Sequence, residues 1–291
     1  MWRQLAATVD QSLAEEVSDW FVAQGALSVS LDDAGDQPLF EPPPGETPLW
    51  NLTKVTGLYE EETLPEGLET LARKVFGAQI VQWSESTLDD QVWERAWMEH
   101  FQPMQFGKRL WICPSGFEPP EPDAVNILLD PGLAFGTGTH PTTALCLRWL
   151  DSLAWRGDTV LDFGCGSGIL AVAALRLGAS KAIGIDIDPQ ALTATRDNAL
   201  KNGVEARLEC LEASQGASEV CDVVVANILA GPLVELSPRI LNHLKPGGRL
   251  ALSGILEDQA ATVRSAYEST VTFEPDEVLD GWVILKGTRA I

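Results

Sequence analysis

The stretch Val160-Leu161-Asp162-Phe163-Gly164-Cys165-Gly166-Ser167-Gly168-Ile169 constrains this 291-residue chain more than any other. An apolar run stops on three glycines in five residues, and a helical pattern begins at once. Glycine lacks a Cβ, so the backbone there can turn tightly and a ligand can come close to it. Comparable apolar runs follow at Ala182 to Ile187, Asp222 to Ala226 and Arg249 to Ser253. Helical stretches at 168–177, 189–202, 232–244 and 258–268 lie between them. Runs this apolar suit strands buried on both faces of a parallel sheet. The alternation predicts an α/β fold, a doubly wound Rossmann-like domain with its ligand crevice at the carboxyl ends of the first strands. Val271 to Phe273 and Trp282 to Leu285 read as a closing antiparallel pair.

Glycine spacing and charge then narrow the ligand. A dinucleotide fingerprint, G-x-G-x-x-G, requires a third glycine at position 169 when read from Gly164. That residue is Ile169, and the glycine comes one place early, at Gly168. Asp162, two residues before the first glycine, would oppose a pyrophosphate but suit a ligand carrying an ammonium and a sulfonium. The next strand ends in Ile185-Asp186-Ile187-Asp188-Pro189, about twenty residues on, where a carboxylate reaches both hydroxyls of a ribose. Asp186 takes that role, because Asp188 precedes Pro189 and reads as the start of a helix. The cofactor selected in this way is S-adenosyl-L-methionine, held by Asp162, Gly164, Gly166, Gly168 and Asp186 in a class I methyltransferase domain. A tight turn with a capping Asp is the structural alternative.

Two further segments point into the same crevice. Val223-Val224-Val225-Ala226-Asn227-Ile228-Leu229-Ala230 ends a strand of the same sheet, which makes Asn227 a candidate for both cofactor binding and catalysis. Its amide can accept a hydrogen bond from an incoming amine and donate one to the cofactor. A plain strand-end turn is the alternative. In base-modifying methyltransferases the Asn or Asp here is followed by Pro-Pro and an aromatic. Ile228-Leu229 departs from that, and no aromatic is placed to stack on an extruded base. Upstream, Asp130-Pro131-Gly132-Leu133-Ala134-Phe135-Gly136-Thr137-Gly138-Thr139-His140-Pro141-Thr142-Thr143 forms a glycine-rich loop before a helix that Pro141 opens. Thr143 can offer its hydroxyl to the cofactor's amino-acid end, and Phe135 could cover the cofactor as part of a lid. His140 is the one histidine of interest as a base, with helix capping as its alternative; His100 and His243 read as structural.

Residues 1–86 follow a different grammar. Strands at Trp2 to Val9, Ala26 to Leu31, Trp50 to Tyr59 and Ile80 to Trp83, with helices carrying Leu13, Val17, Trp20 and Phe21 before a Gly25 cap and at Leu64 to Phe76, give the order βαββαβ. That is the order of a small ferredoxin-like α+β domain. Prolines 38, 42, 43, 44 and 48 confine the segment between the second and third strands to a loop. Trp93, Trp97 and Phe101 then fall at i, i+4 and i+8, the stripe of a packed connecting helix rather than of a ligand platform. Residues 87–123 read as this linker helix plus a connecting strand near Arg109 to Cys113, and 124–291 as the methyltransferase domain.

Composition narrows the partners. With 20 basic and 42 acidic residues the net charge is −22, which repels phosphate backbones and would attract a basic protein, with simple solubility as the favoured alternative until a second feature points to a basic substrate. Direct nucleic-acid specificity is not expected, and Trp50 to Tyr59 lacks the pattern of an RNA-recognition motif. The five cysteines are odd in number and scattered, giving neither a disulfide framework nor a metal pair, so no metal is expected. No apolar run reaches the roughly eighteen residues of a membrane span, and the first residues lack a secretory signal. A cytoplasmic protein is expected.

Asp130 to Thr143, together with Asp162 to Gly168, Gly184 to Pro189 and Asn227 to Gly231, resembles the family that methylates ribosomal protein eleven of the large subunit. The resemblance covers nearly the whole chain. It implies cofactor contacts at Thr143, Gly164, Asp186 and Asn227, and methyl transfer to lysine side-chain and N-terminal amines of that ribosomal protein. It also implies an N-terminal domain that binds the substrate, free or in the ribosome, and moves relative to the catalytic domain. The rivals are a methyltransferase for another protein or a small molecule, and a non-catalytic ribosome-binding module. A nicotinamide dehydrogenase is disfavoured by Ile169 and Asp162.

Overall fold

The computed structural model describes residues 2–35, 37, 48–88, 102–130, 140–214 and 219–291. The chain divides into two compact units, Met1–His100 and Phe101–Ile291.

The first unit contains β1 (Trp2–Asp10), α1 (Ala14–Ala23), β2 (Ser28–Asp33), β3 (Leu52–Glu60), α2 (Leu68–Phe76) and β4 (Gln82–Leu88). Its strands form an antiparallel sheet in the order β2-β3-β1-β4. Alternation along β1 puts Leu5, Ala7 and Val9 on one face, buried with Val17 and Phe21 of α1 and Ala72 and Phe76 of α2. Three boundaries differ from the sequence expectation. α2 begins at Leu68 rather than Leu64, because Gly67 adopts a left-handed φ of 71° immediately before it. β4 lies later and runs longer than residues 80–83, because its pairing with β1 extends to Trp2 opposite Leu88. β2 is likewise shifted, to the register in which Ser28 faces Leu58. Cross-strand pairing, not local pattern, sets the ends of the two strands. The Trp93–Trp97–Phe101 stripe lies outside the described residues.

The second unit opens with β5 (Met104–Phe106), β6 (Leu110–Cys113) and β7 (Val125–Leu128), joined in a small sheet of their own. Residues 104–113 therefore do more than connect: Phe106, Leu110 and Ile112 are buried in the same core as Leu145, Leu147 and Leu150. Then come α3 (Pro141–Ser152), β8 (Thr159–Phe163), α4 (Ile169–Leu177), β9 (Lys181–Asp186), α5 (Pro189–Lys201), β10 (Leu208–Glu212) and β11 (Cys221–Asn227). α6 (Ala230–Glu235), α7 (Ser237–Asn242), β12 (Leu244–Leu256), α8 (Ala260–Ser265), β13 (Val271–Phe273), β14 (Glu277–Leu279) and β15 (Trp282–Arg289) complete it. The one helix expected over 232–244 is broken in two, since Pro238 has no N–H to bond backward and crowds the carbonyl four residues before it.

The main sheet of the described residues runs β10-β9-β8-β11-β12-β15-β13, with β14 paired to β15. Its first five strands are parallel, and β15 closes them antiparallel to β12 and β13. Val223 and Val225 of β11 feed one core with α3 and α4, whereas Val224 and Ala226 feed the other with α6 and α8. The two-residue period that sorts these valines also puts Asp162 on the same face of β8 as Val160, the α3–α4 face. Because β8, β9 and β11 are parallel, Phe163, Asp186 and Asn227 all lie at the carboxyl end of the sheet.

Candidate active site

At that end the chain leaves β8 through Gly164, Gly166 and Gly168, whose φ values are 76°, 54° and 76°. These are left-handed conformations that favour glycine. At Gly164 a Cβ would also collide with the Ile228 side chain, so the glycine loop and the segment after Asn227 lie in contact.

Asp162 is fully buried beneath α4. Its Oδ2 accepts the Ala171 N–H at 3.0 Å, satisfying one of the first-turn amides that a helix cannot bond internally. Its Oδ1 is buried and has no partner among the described residues. Burial, opposed by the Ala171 bond and reinforced by the Asp186 charge, pushes the Asp162 carboxyl up to about 8. In the ionised form this open oxygen calls for a donor or a cation.

Asp186 is half-buried at the end of β9. Its Oδ2 accepts the Gly166 N–H at 2.9 Å and its Oδ1 the Asp188 N–H at 3.0 Å. Asp188 caps α5, accepting the Gln190 N–H at 2.8 Å. The two acids thus have separate places, Asp186 on the glycine loop and Asp188 on the helix start.

The start of α3 meets the ends of β11 and β12. Asn227 Nδ2 donates to Thr143 Oγ1 at 3.3 Å, and Ser253 Oγ donates to the Thr142 carbonyl at 3.2 Å. Thr143 is completely buried and Asn227 half-buried. His140 caps α3: its Nδ1 lies 2.8 Å from Thr142 Oγ1 and accepts the Thr142 N–H. The ring packs edge-on against Trp282 with centroids 4.9 Å apart. Burial lowers the His140 pKa, which favours the neutral ring that an accepting Nδ1 requires. Phe135 and the rest of 131–139 lie outside the described residues.

Asp162, Gly164, Gly166, Gly168, Asp186 and Asn227 therefore lie at or just beyond the carboxyl ends of β8, β9 and β11, and Thr143 meets Asn227 there from α3. A family model described as ribosomal protein L11 methyltransferase (PrmA) matches residues 1–290. The chain belongs to this family. Proteins named ribosomal protein L11 methyltransferase from Methylococcus capsulatus and Serratia proteamaculans are 54% and 55% identical to it, over 291 and 290 residues and 99% of both chains. The crystal structure of a ribosomal protein L11 methylase from Lactobacillus delbrueckii subsp. bulgaricus is 33% identical, with a TM-score of 0.61, and covers 66% of this chain and 100% of its own. Membership of the L11 methyltransferase family makes the chain an S-adenosylmethionine-dependent methyltransferase.

The donor set fits that cofactor. A buried carboxyl with an open oxygen, which a cation would ionise, and a second carboxylate at a strand end suit a cation bearing vicinal hydroxyls rather than a phosphate. Missing from the sequence reading were Thr195 and Asn198 of α5, which the structure brings against the glycine loop. Their signal was two polar residues one turn apart on a helix whose inner face is otherwise Ala191, Leu192 and Ala199.

Proposed function

We propose that this chain transfers methyl groups from S-adenosylmethionine to lysine side-chain and N-terminal amines of large-subunit ribosomal protein L11, with the first unit recognising the substrate. The observation that carries this reading is the bond from Asn227 to Thr143 beside Asp162 and Asp186. With its NH₂ committed to Thr143, Asn227 turns its carbonyl oxygen to acceptance, the role an incoming amine needs.

Bound S-adenosylmethionine supplies an activated methyl group with a good leaving group, so the chain need supply no nucleophile. Asp186 would accept the ribose hydroxyls while keeping Gly166 in place. Asp162 would face the positive charge, and the glycine loop would let the cofactor lie against the backbone. Thr143 serves twice, buttressing Asn227 and bordering the amino-acid end. The amine must arrive neutral: at pH 7 removing a lysine proton costs about 4.6 kcal/mol from a pKa near 10.4. Desolvation and the nearby sulfonium charge reduce that cost. Asn227 Oδ1, accepting an N–H, would aim the lone pair, and the surplus proton can leave through water. His140 is not assigned the proton, because its Nδ1 already caps α3.

The first unit we read as a ferredoxin-like domain. Residues 1–100 hold 19 acidic and 5 basic side chains of the chain's 42 and 20, so a third of the sequence carries most of the net charge. A field of that sign draws in a basic protein substrate and repels nucleic acid. All five cysteines are free thiols, which suits a reducing cytoplasm. Purified protein incubated with L11 and S-adenosylmethionine, followed by mass spectrometry of intact L11, tests the proposal. Mass gains in multiples of one methyl group are expected. Cofactor binding without any gain on L11 would transfer the activity to another acceptor.

A further inference from the structure

Helix α5 turns apolar Ala191, Leu192 and Ala199 inward, yet three polar residues are buried beside them: Thr195, Asn198 and Asn202, at 0%, 8% and 7% exposure. They recur at i, i+3 and i+7, on one side of the helix. A buried hydroxyl or amide without a partner is costly, so the position of each partner is informative. Thr195 Oγ1 donates to the Gly166 carbonyl at 3.0 Å, and Asn198 Nδ2 donates to the Ser167 carbonyl at 2.8 Å. Those carbonyls lie after the last residue of β8 and before the first of α4, out of reach of the sheet ladder.

Asn202 anchors the far end of the same face. Its side chain accepts the Leu128 N–H at 2.8 Å and donates to the Leu128 carbonyl at 2.9 Å, as a neighbouring strand would. The helix is therefore fixed to β7 while it grips the loop. Gly168 comes so close that a Cβ would stand 2.7 Å from Thr195 Cγ2. Peptide planes are rigid, so holding two successive carbonyls sets the orientation of the Gly166–Ser167 and Ser167–Gly168 planes. Asp186 holds the same loop from the other side, through the Gly166 N–H.

We propose that Thr195 and Asn198 are positioning residues for the cofactor, which pre-form the glycine loop and act on the ligand only through it. This rests on the reading of the loop as the S-adenosylmethionine site. Without the two bonds, cofactor binding would have to order the loop, and that entropy is lost from affinity. The effect falls on binding rather than on the aligned reaction.

The test is calorimetry of S-adenosylhomocysteine binding to the full chain, with Asp186→Ala as the variant that reads the site itself. Thr195→Val keeps the shape and removes the hydroxyl; it should bind about ten-fold more weakly, the scale of one lost buried hydrogen bond. Thr195→Ser should restore binding to within about two-fold, since it returns the donor. In kinetics the loss should appear in KM for the cofactor, with kcat at saturation and KM for the protein substrate moving far less. Weak binding by Asp186→Ala with normal binding by Thr195→Val would overturn the positioning role and leave the site standing. Unchanged binding in both would remove the site reading and this inference together. A Thr195→Ser chain as weak as Thr195→Val would reduce the residue to packing and overturn the proposal. Should Thr195→Val fail to fold, Asn198→Ala carries the same measurement from the rim of the core, and unchanged affinity there overturns the inference.

Discussion

Thr143 Oγ1, in the first turn of α3, accepts a hydrogen bond of 3.3 Å from the Nδ2 of Asn227, 84 residues later at the end of β11. The bond orients an amide that could otherwise rotate by half a turn and present its NH₂ to an amine. Thr143→Val should therefore reproduce much of the defect of Asn227→Ala. Each should lower kcat by about 10²-fold, the usual cost of one positioned group at a reacting centre, and lower cofactor affinity less. The double variant should be little worse than Asn227→Ala, since both remove one unit. Steady-state kinetics at saturating cofactor reads this, and fully additive losses would mean that the two residues act separately.

Asp186→Ala should weaken cofactor binding strongly in a folded chain. Each hydrogen bond to a charged acceptor contributes about 1.5–3 kcal/mol, and the variant also frees the Gly166 amide. Calorimetry is the check, and an unchanged affinity would take Asp186 out of the site.

Asp162 makes both stability and binding depend on pH. First burial and then the Asp186 charge raise its carboxyl to about 8 against the Ala171 bond, whereas an unfolded Asp titrates near 3.9. Between roughly pH 4 and 8 the folded chain keeps a proton that the unfolded chain has lost, so this group's contribution to stability is full at low pH and falls as pH rises. Asp162→Asn should flatten that part of the stability profile. A cationic cofactor should shift the group towards its ionised form, releasing protons on binding at pH 7. Calorimetry in two buffers of different ionisation heat measures the release, and identical heats would contradict it.

The acidic first unit should make substrate capture sensitive to salt. KM for L11 should rise with ionic strength while cofactor affinity hardly moves, because surface fields are screened within about 8–10 Å at physiological salt. A chain beginning at Gln102 should keep cofactor binding, since the second unit has its own cores, and lose most of its kcat/KM on L11. Full activity of the truncated chain would show that the first unit does not select the substrate.

The order of elements was legible in the sequence because it is written in local chemistry. Apolar runs, helix periods and glycine punctuation marked the strands and helices of both units; Asp186 and Asn227 were candidates because each ends a strand, and Asp162 because it stands two residues before the first glycine. The strand Leu208–Glu212 escaped notice, because it is half-exposed at the sheet edge and carries no unbroken apolar run. The bounds of β2 and β4 depended on partners some thirty and eighty residues away, which no local window contains. The same holds for the site. Residue types alone offered Thr143 and Asn227 as separate candidates, and only the packing of α3 across β11 and β12 joined them. Thr195 and Asn198 carry no motif at all; they matter because a parallel sheet lays α5 beside a loop whose carbonyls the ladder has abandoned. A sequence states which groups are available, but which donor meets which acceptor is decided when the chain is folded.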